Sequence, residues 1–399
     1  MKVNKIIIFT DESFPYGMAA TNRIISYGKG FVGNGKKTEV ICLRRTENAD
    51  NIRNYKRNGY FENIKFTYLS KSTVKSKFFI MRRVHNFFSY VSLFFNSLKK
   101  INNSTLSIYY SSNPYPLLLI WFANKLKKGL LFKEESEHPY IRENKFIAKF
   151  LFENVHYNLF DGYLLMTKNL ISYFNSTSKI PHIHVPMTVD LDRFDNNFKN
   201  NNDDLNYIVF TGGIDDKKEG IDILLKAFAE IVKKYNSYKL HLYGSTYHRD
   251  GSTESEQVLK KHYRLIEQLG ISDFVDFKGR VNREVITNKI LEAKILVLPR
   301  PDSLQAQHGF PTKLGEYLAS GNPTLVTSVG EIPDYLTDNL DCYIAAPGNV
   351  ESLKNKLLEI IEDYPKAKKV GLRGRKTAEI HFNNMNQTKK IISIVENNF

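Results

Sequence analysis

The run His308-Gly309-Phe310-Pro311-Thr312-Lys313-Leu314-Gly315-Glu316-Tyr317-Leu318-Ala319-Ser320-Gly321-Asn322-Pro323 reads as a helix with both of its ends written out. Pro311 suits a first helical turn, and its fixed φ leaves the N–H groups of Thr312 and Lys313 free for an anion. Glu316 lies one turn further in, where a carboxylate can accept from two vicinal hydroxyls. Gly321 and Pro323 stop the helix before the short apolar strand Thr324–Thr327. An acid one turn inside an anion-binding helix start is what a ribose beside its diphosphate requires. The plainer reading of Glu316 is a surface carboxylate at the favourable end of a helix dipole.

Outward from this run, strands and helices alternate. On the N-terminal side, 207–211 reads as a strand, 212–220 as a glycine-bearing loop, 221–235 as an amphipathic helix and 239–243 as a strand ending at Gly244; 275–278, Ile295–Leu298 and 342–345 are further short buried strands. Such alternation predicts a doubly wound parallel sheet. The first half repeats the plan, with a strand at Lys5–Thr10, a loop at 11–18, a helix from Ala19, the stop Gly33-Asn34-Gly35, and strands at 38–43, 106–110, 129–133 and 162–166. Between the halves lies Val189-Asp190-Leu191-Asp192-Arg193-Phe194, followed by an Asn-rich polar run to residue 204 that has too little apolar surface to fold alone. The expected organisation is a first domain at 1–188, a linker at 189–204, a second domain at 205–380, and a C-terminal helix at 381–399 that returns to the first domain. The fold class is α/β: two Rossmann-like, doubly wound domains facing across a cleft, with ligands outside the carboxyl ends of the strands.

A chain of 399 residues has room for two cores, and its 42% apolar and 25% charged content excludes a disordered polymer or a fibre. The two cysteines, Cys42 and Cys342, form no C-x-x-C pair, which argues against a disulfide framework and a thiolate zinc site. Ile6-Ile7-Ile8-Phe9 is too short for a secretory signal, and no apolar run reaches the roughly 18 to 20 residues of a membrane span. A cytoplasmic protein is expected.

The formal net charge is +15, and from residue 63 to residue 132 there are eleven Lys or Arg and no Asp or Glu. Within that stretch Met81, Val84, Phe88, Val91, Phe95 and Leu98 recur at helical spacing, with Lys75, Lys77, Arg82 and Arg83 at the start and Lys99 and Lys100 at the end. This pattern suits a helix docked on an anionic membrane surface, so the protein is expected to lie peripherally on the inner face of the cell membrane. The alternative is a core helix with solvated basic ends. No nucleic-acid-binding motif accompanies the charge, so no nucleic acid partner is expected.

Two further segments follow predicted strands. Gly212-Gly213-Ile214-Asp215-Asp216-Lys217-Lys218-Glu219-Gly220 brings backbone N–H groups and a lysine to a helix start, a combination that compensates a diphosphate leaving group. Glu135-Ser136-Glu137-His138-Pro139 follows the strand at 129–133, so Glu137 and His138 are candidates for contacting hydroxyls of a donor or an acceptor; a turn with a capping carboxylate is the alternative.

Taken in order, these segments resemble glycosyltransferase family 4, the retaining, metal-independent branch of the GT-B-fold sugar-nucleotide transferases. The resemblance covers nearly the whole chain: Gly17 after the first strand, the 189–194 junction, Lys218-Glu219-Gly220, Gly279-Arg280-Val281, and residues 311–323. It implies that Lys218 binds the donor diphosphate; Glu137 and His138, from the position of their segment after a strand, stand beside it as catalytic candidates. It further implies that Glu316 binds the ribose, that Arg280 and Val281 lie near the base, and that Gly17, Met18 and Ala19 form the acceptor and phosphate loop. Gly212, Gly213, Gly244, His308, Phe310, Pro311, Thr312 and Lys313 complete the implied donor site. The chain departs from the family in two places. His308 stands eight residues before Glu316 where the family has a second Glu, and Gly213 stands where it commonly has an Arg. Lys313 would then supply a second positive charge. The implied activity is retaining transfer of a sugar from a UDP- or GDP-linked donor to a sugar or lipid-linked sugar acceptor, with no metal and no other cofactor, in bacterial surface polysaccharide synthesis. Two other readings remain, a sugar-nucleotide 2-epimerase and a non-catalytic membrane-binding scaffold on a degenerate transferase fold.

Overall fold

The computed structural model describes residues 1–138, 155–195, 206–246 and 253–399. The chain divides into two compact units, Met1–Thr188 with Asn384–Phe399, and Val189–Asn383.

In the first unit, β1 (Lys5–Thr10), β2 (Lys37–Cys42), β3 (Asn58–Phe61), β4 (Ile64–Tyr68), β5 (Thr105–Tyr110), β6 (Leu130–Glu135), β7 (Gly162–Leu165) and β8 (His182–His184) form one sheet in the order β3-β4-β2-β1-β5-β6-β7-β8. Every pairing is parallel except β3 with β4. β1 sits centrally, with Ile6, Ile7, Ile8 and Phe9 fully buried, because a parallel strand covered on both faces is apolar throughout. Helix α1 (Ala19–Gly33) and the C-terminal helix Asn384–Asn398 cover this sheet, and Ile391, Ile392 and Val395 join the same core as Ile24, Tyr27 and Phe31.

The antiparallel β3–β4 hairpin is absent from the sequence reading. Its turn is Glu62-Asn63, both at positive φ (48° and 64°), a geometry usually written as Asn-Gly. Residues 189–195 also depart from the expected linker. They belong to the second unit, where Asp190 pairs with Arg283 at 3.2 Å and Val189 N–H donates to Phe382 O at 2.8 Å. The remainder of the 189–204 linker, from residue 196, lies outside the described residues.

Helix α2 (Phe79–Lys100) begins four residues later than the expected 75–100 and turns its apolar stripe outward. Its buried residues are Ser89, Leu93 and Ser97, whereas Phe87, Phe88 and Phe95 are each 64% exposed. Of the predicted stripe only Leu98 is half-buried, so the core-helix alternative fails for Met81, Val84, Phe88, Val91 and Phe95. The small face packs against α3 (Pro114–Lys127), where the rings of Phe94 and Phe122 stack at 6.2 Å. No described helix is long and apolar enough to cross a membrane.

The second unit carries an all-parallel sheet of β9 (Tyr207–Gly213), β10 (Lys239–Ser245), β11 (Val275–Gly279), β12 (Ile295–Leu298), β13 (Thr324–Thr327) and β14 (Tyr343–Ala345), ordered β11-β10-β9-β12-β13-β14. The order reverses at β9, so the C-terminal ends of β9 and β12 open the crevice in which such sheets bind ligands.

Candidate functional site

Both central strands end where the sequence motifs stand. β9 ends in Gly212 and Gly213; β10, its neighbour, ends in Gly244 and Ser245, with Gly244 opposite Gly212 in register. Gly212 and Gly244 have φ of 146° and 143°, open to glycine alone, and a Cβ on Gly244 would lie 1.6 Å from Gly212 O. A Cβ on Gly212 would meet Lys313 Nζ at 2.1 Å. The bare backbone there is what admits the lysine.

Lys313 arrives from the helix Thr312–Ala319, whose N-terminus has no side-chain cap. Pro311 is the N-cap residue rather than the first helical residue; its φ of −72° fits either place, but its ψ of 112° is extended. Tyr317 fixes the helix to the end of β9 by accepting from Thr211 N–H at 2.7 Å and sharing a 3.1 Å bond with Thr211 Oγ1. Lys313 then lies with its ammonium 5.1 Å from the Phe210 ring and 2.7 Å from Glu219 Oε2. Burial pushes its pKa down to about 8, against the pull of Glu219 and with the push of Arg300 and Lys218.

Glu219 belongs to the turn Asp216–Glu219, which Asp215 caps by accepting from Lys218 N–H at 2.7 Å. Within this turn Lys217 is exposed and Lys218 half-buried, while Glu219 is 1% exposed. Its second oxygen accepts from Arg300 Nη2 at 3.4 Å, and Arg300 is held just after β12 by Thr327 Oγ1 donating to Arg300 O at 2.6 Å. Glu219 stands in the loop quoted from the sequence without a role of its own, and Arg300 is absent from that reading. A search for charged residues immediately after strands would have found Arg300.

Glu316 is engaged by a residue of the supposed linker: Arg193 Nη1 lies 2.6 Å from Glu316 Oε1, and Arg193 Nη2 donates to Thr287 Oγ1 at 2.6 Å. His308 ends the short helix Leu304–His308, its Nδ1 3.1 Å from Leu304 O. The Phe310 ring is buried against Phe382 at 5.5 Å and Tyr335 at 5.7 Å. Arg280 and Val281 lie on the exposed loop following β11. The structure therefore gathers Gly212, Gly244, Lys218 and Lys313 around the Thr312 helix start, with Glu316 one turn inside.

In the first unit, Gly17 closes on Thr21, whose Oγ1 donates to Ser13 O at 2.7 Å, and Met18 is the N-cap of α1 with Ala19 its first residue. Around the C-terminal ends of β1, β5 and β6 is a cavity of about 380 Å³ lined by Asp11, Arg44, Tyr110, Lys133, Glu134 and Glu135 among others. Glu134 is fixed from behind by fully buried Arg23 at 2.6 Å, and burial raises its pKa above the ordinary carboxylate value. Glu137 is exposed and the His138 ring packs edge-on to Tyr173 at 4.7 Å; neither is among the cavity's lining residues. Pro139 lies outside the described residues.

Residues 192–377 match the family model of the glycosyl transferases group 1. An uncharacterised glycosyltransferase of Methanocaldococcus jannaschii is 26% identical over 162 residues, 41% of this chain and 37% of that protein. Sucrose-phosphate synthase from Thermosynechococcus elongatus superposes with a TM-score of 0.72 at 15% identity, covering 99% of this chain and 98% of its own. Anabaena HepE in complex with UDP does so at 0.70 and 12% identity, over the whole of both chains. The match to the archaeal relative thus spans less than half of that protein, whereas the fold likeness extends over the full chain. The fold is GT-B, and residues 192–377, within the second unit, are similar to the glycosyl transferases group 1.

Proposed function

We propose that this chain is a retaining hexosyltransferase that takes a sugar from a UDP- or GDP-linked donor to a sugar or lipid-linked sugar acceptor in bacterial surface polysaccharide synthesis. The observation that carries the reading is the meeting, at one end of the second sheet, of an uncapped helix start, the Lys313 ammonium and the Glu316 carboxylate. The free N–H groups of Thr312 and Lys313, with the side chains of Lys313 and Lys218, bind the donor diphosphate and neutralise the charge that grows on it as its bond to the sugar breaks. Glu316 accepts from the ribose hydroxyls, His308 bonds a donor-sugar hydroxyl, and Arg280 and Val281 border the base. No step requires a metal. The first-unit cavity, with the loop at Gly17, receives the acceptor hydroxyls. HepE, similar in fold, has been seen with UDP.

The acceptor's lipid would be met through α2. Phe78, Phe79, Ile80, Phe87, Phe88 and Phe95 are between 61% and 75% exposed, and Arg82 and Arg83 stand exposed among them. Aromatic side chains flanked by basic ones are the composition that inserts into an anionic headgroup layer, which supports peripheral attachment at the cytoplasmic membrane face.

A thermal-shift screen with UDP, GDP and their sugars tests the donor assignment. At a hundredfold its dissociation constant a ligand adds about 2.7 kcal/mol of stability. Stabilisation by one nucleotide series is expected, and no shift with any member would overturn the reading.

A further inference from the structure

Glu219 is almost wholly buried between two cations that reach it from different elements, Lys313 from the helix Thr312–Ala319 at 2.7 Å and Arg300 from the segment after β12 at 3.4 Å. An acid is kept in such a place only where it is paired, and removing one partner leaves the rest uncompensated. The lysine has few alternatives. β9 offers it the face of Phe210 and the bare backbone of Gly212; the turn Asp216–Glu219 brings Lys218 as well as Glu219; and the segment after β12 brings Arg300. On its own helix, the acidic Glu316 is engaged by Arg193 and the Tyr317 hydroxyl by Thr211.

We infer that Glu219 is a positioning residue of the donor site, holding the Lys313 ammonium beside Gly212 until a nucleoside diphosphate supplies the anion. This rests on the donor-site reading above and adds to it the residue that readies the lysine. Glu219 is also the group that opposes loss of the Lys313 proton, against burial, Arg300 and Lys218. With the carboxylate gone, the ammonium should deprotonate closer to neutrality.

Two measurements test this. The first is UDP and GDP affinity by calorimetry between pH 7 and pH 9, where the nucleotide phosphate is largely ionised. If binding needs the Lys313 proton, a site that titrates at about pH 8 loses affinity about tenfold across this range by proton linkage. Glu219→Gln, which moves the titration lower, should lose affinity several-fold more than the wild type over the same range, and Lys313→Arg should show no fall. Glu219→Asp, whose carboxylate is drawn back from the Lys313 ammonium by one methylene, should fall more steeply than the wild type and less than the Gln variant; it carries the test where the Gln variant does not fold, a wild-type profile in it overturning the role. The second is the Lys313 titration itself, read by carbon NMR at Cε without any nucleotide. It is expected at lower pH in Glu219→Gln than in the wild type.

Nucleotide binding with an identical pH profile and an unmoved Lys313 titration in Glu219→Gln would overturn the role given to Glu219 and leave the donor site standing. Failure of both nucleotides to bind the wild-type chain would instead overturn the donor reading, and this role with it.

Discussion

Replacing Glu316 separates its ion pair with Arg193 from the ribose contact proposed for the same carboxylate. Its Oε1 is 2.6 Å from Arg193 Nη1, and the two side chains are 16% and 11% exposed. Breaking a fully buried pair by removing one partner costs about 3–5 kcal/mol. Here the remaining exposure lets water reach the orphan, and Arg193 keeps its bond to Thr287, so Glu316→Ala should destabilise the chain by about 2–3 kcal/mol. Glu316→Gln retains an acceptor oxygen for Arg193 and should cost about 1 kcal/mol. Nucleotide binding should order the variants differently. Two ribose hydroxyls lose a charged acceptor in either, so UDP or GDP affinity should fall about tenfold or more in both, one hydrogen bond to a charged group being worth about 1.5–3 kcal/mol. Denaturant unfolding and calorimetry together read the two effects. Arg193→Ala supplies the control, sharing the stability loss of Glu316→Ala while leaving the carboxylate in place. Wild-type nucleotide affinity in Glu316→Gln would refute the ribose contact, and a wild-type unfolding midpoint in Glu316→Ala would refute the structural pair.

Three further outcomes are expected. Changing Lys75, Lys77, Arg82 and Arg83 to Ser should release the protein from anionic vesicles in a co-sedimentation assay, because each basic residue near the surface contributes about 1 kcal/mol; Phe88→Ala should leave the unfolding free energy within about 0.5 kcal/mol, the 64% exposed ring having little packing to lose. Asp216 accepts from His262 at 2.7 Å and from Lys261, and these contacts hold its pKa below the usual carboxylate range although burial opposes them. A depressed carboxylate stabilises the fold above its unfolded pKa and stops doing so as pH falls, so Asp216→Asn should lower the thermal midpoint at pH 7 and converge on the wild type as pH falls below about 4. Gly244→Ala, whose Cβ would strike a backbone carbonyl, should cost about 3 kcal/mol or more in chemical denaturation. Gly35→Ala, also at positive φ but facing open space, should cost about 1 kcal/mol.

What the sequence made legible follows from how far apart the interacting residues lie. Ile295–Leu298 and Thr324–Thr327 are strands with the bounds read from their apolar runs, since a parallel strand buried on both faces carries its signal in its own residues. The helix Thr312–Ala319 was likewise written into its Pro and Gly punctuation. The hairpin at Glu62-Asn63 escaped because its turn uses residues without the usual glycine. For α2 the spacing identified the apolar face and left open what that face meets, a matter decided by Ser89, Leu93 and Ser97 packing the other way. At the candidate site, Lys313 and Glu316 stood in a readable motif, but Glu219 and Arg300 are 81 residues apart and meet only through the order of the strands. Arg193 falls in a polar connector by its sequence for the same reason, although it grips Glu316 from 123 residues away.

The central claim is that this chain spends a nucleotide sugar as a glycosyl donor. It is tested most directly by incubating the purified protein with a panel of UDP- and GDP-linked sugars and a bacterial membrane lipid extract, and following nucleotide and sugar by mass spectrometry. The expected result is release of one nucleoside diphosphate with its hexose appearing on the acceptor, abolished in Lys313→Ala. Interconversion of the nucleotide sugar would mark an epimerase instead, and an unconsumed panel would contradict the assignment of a catalytic donor site.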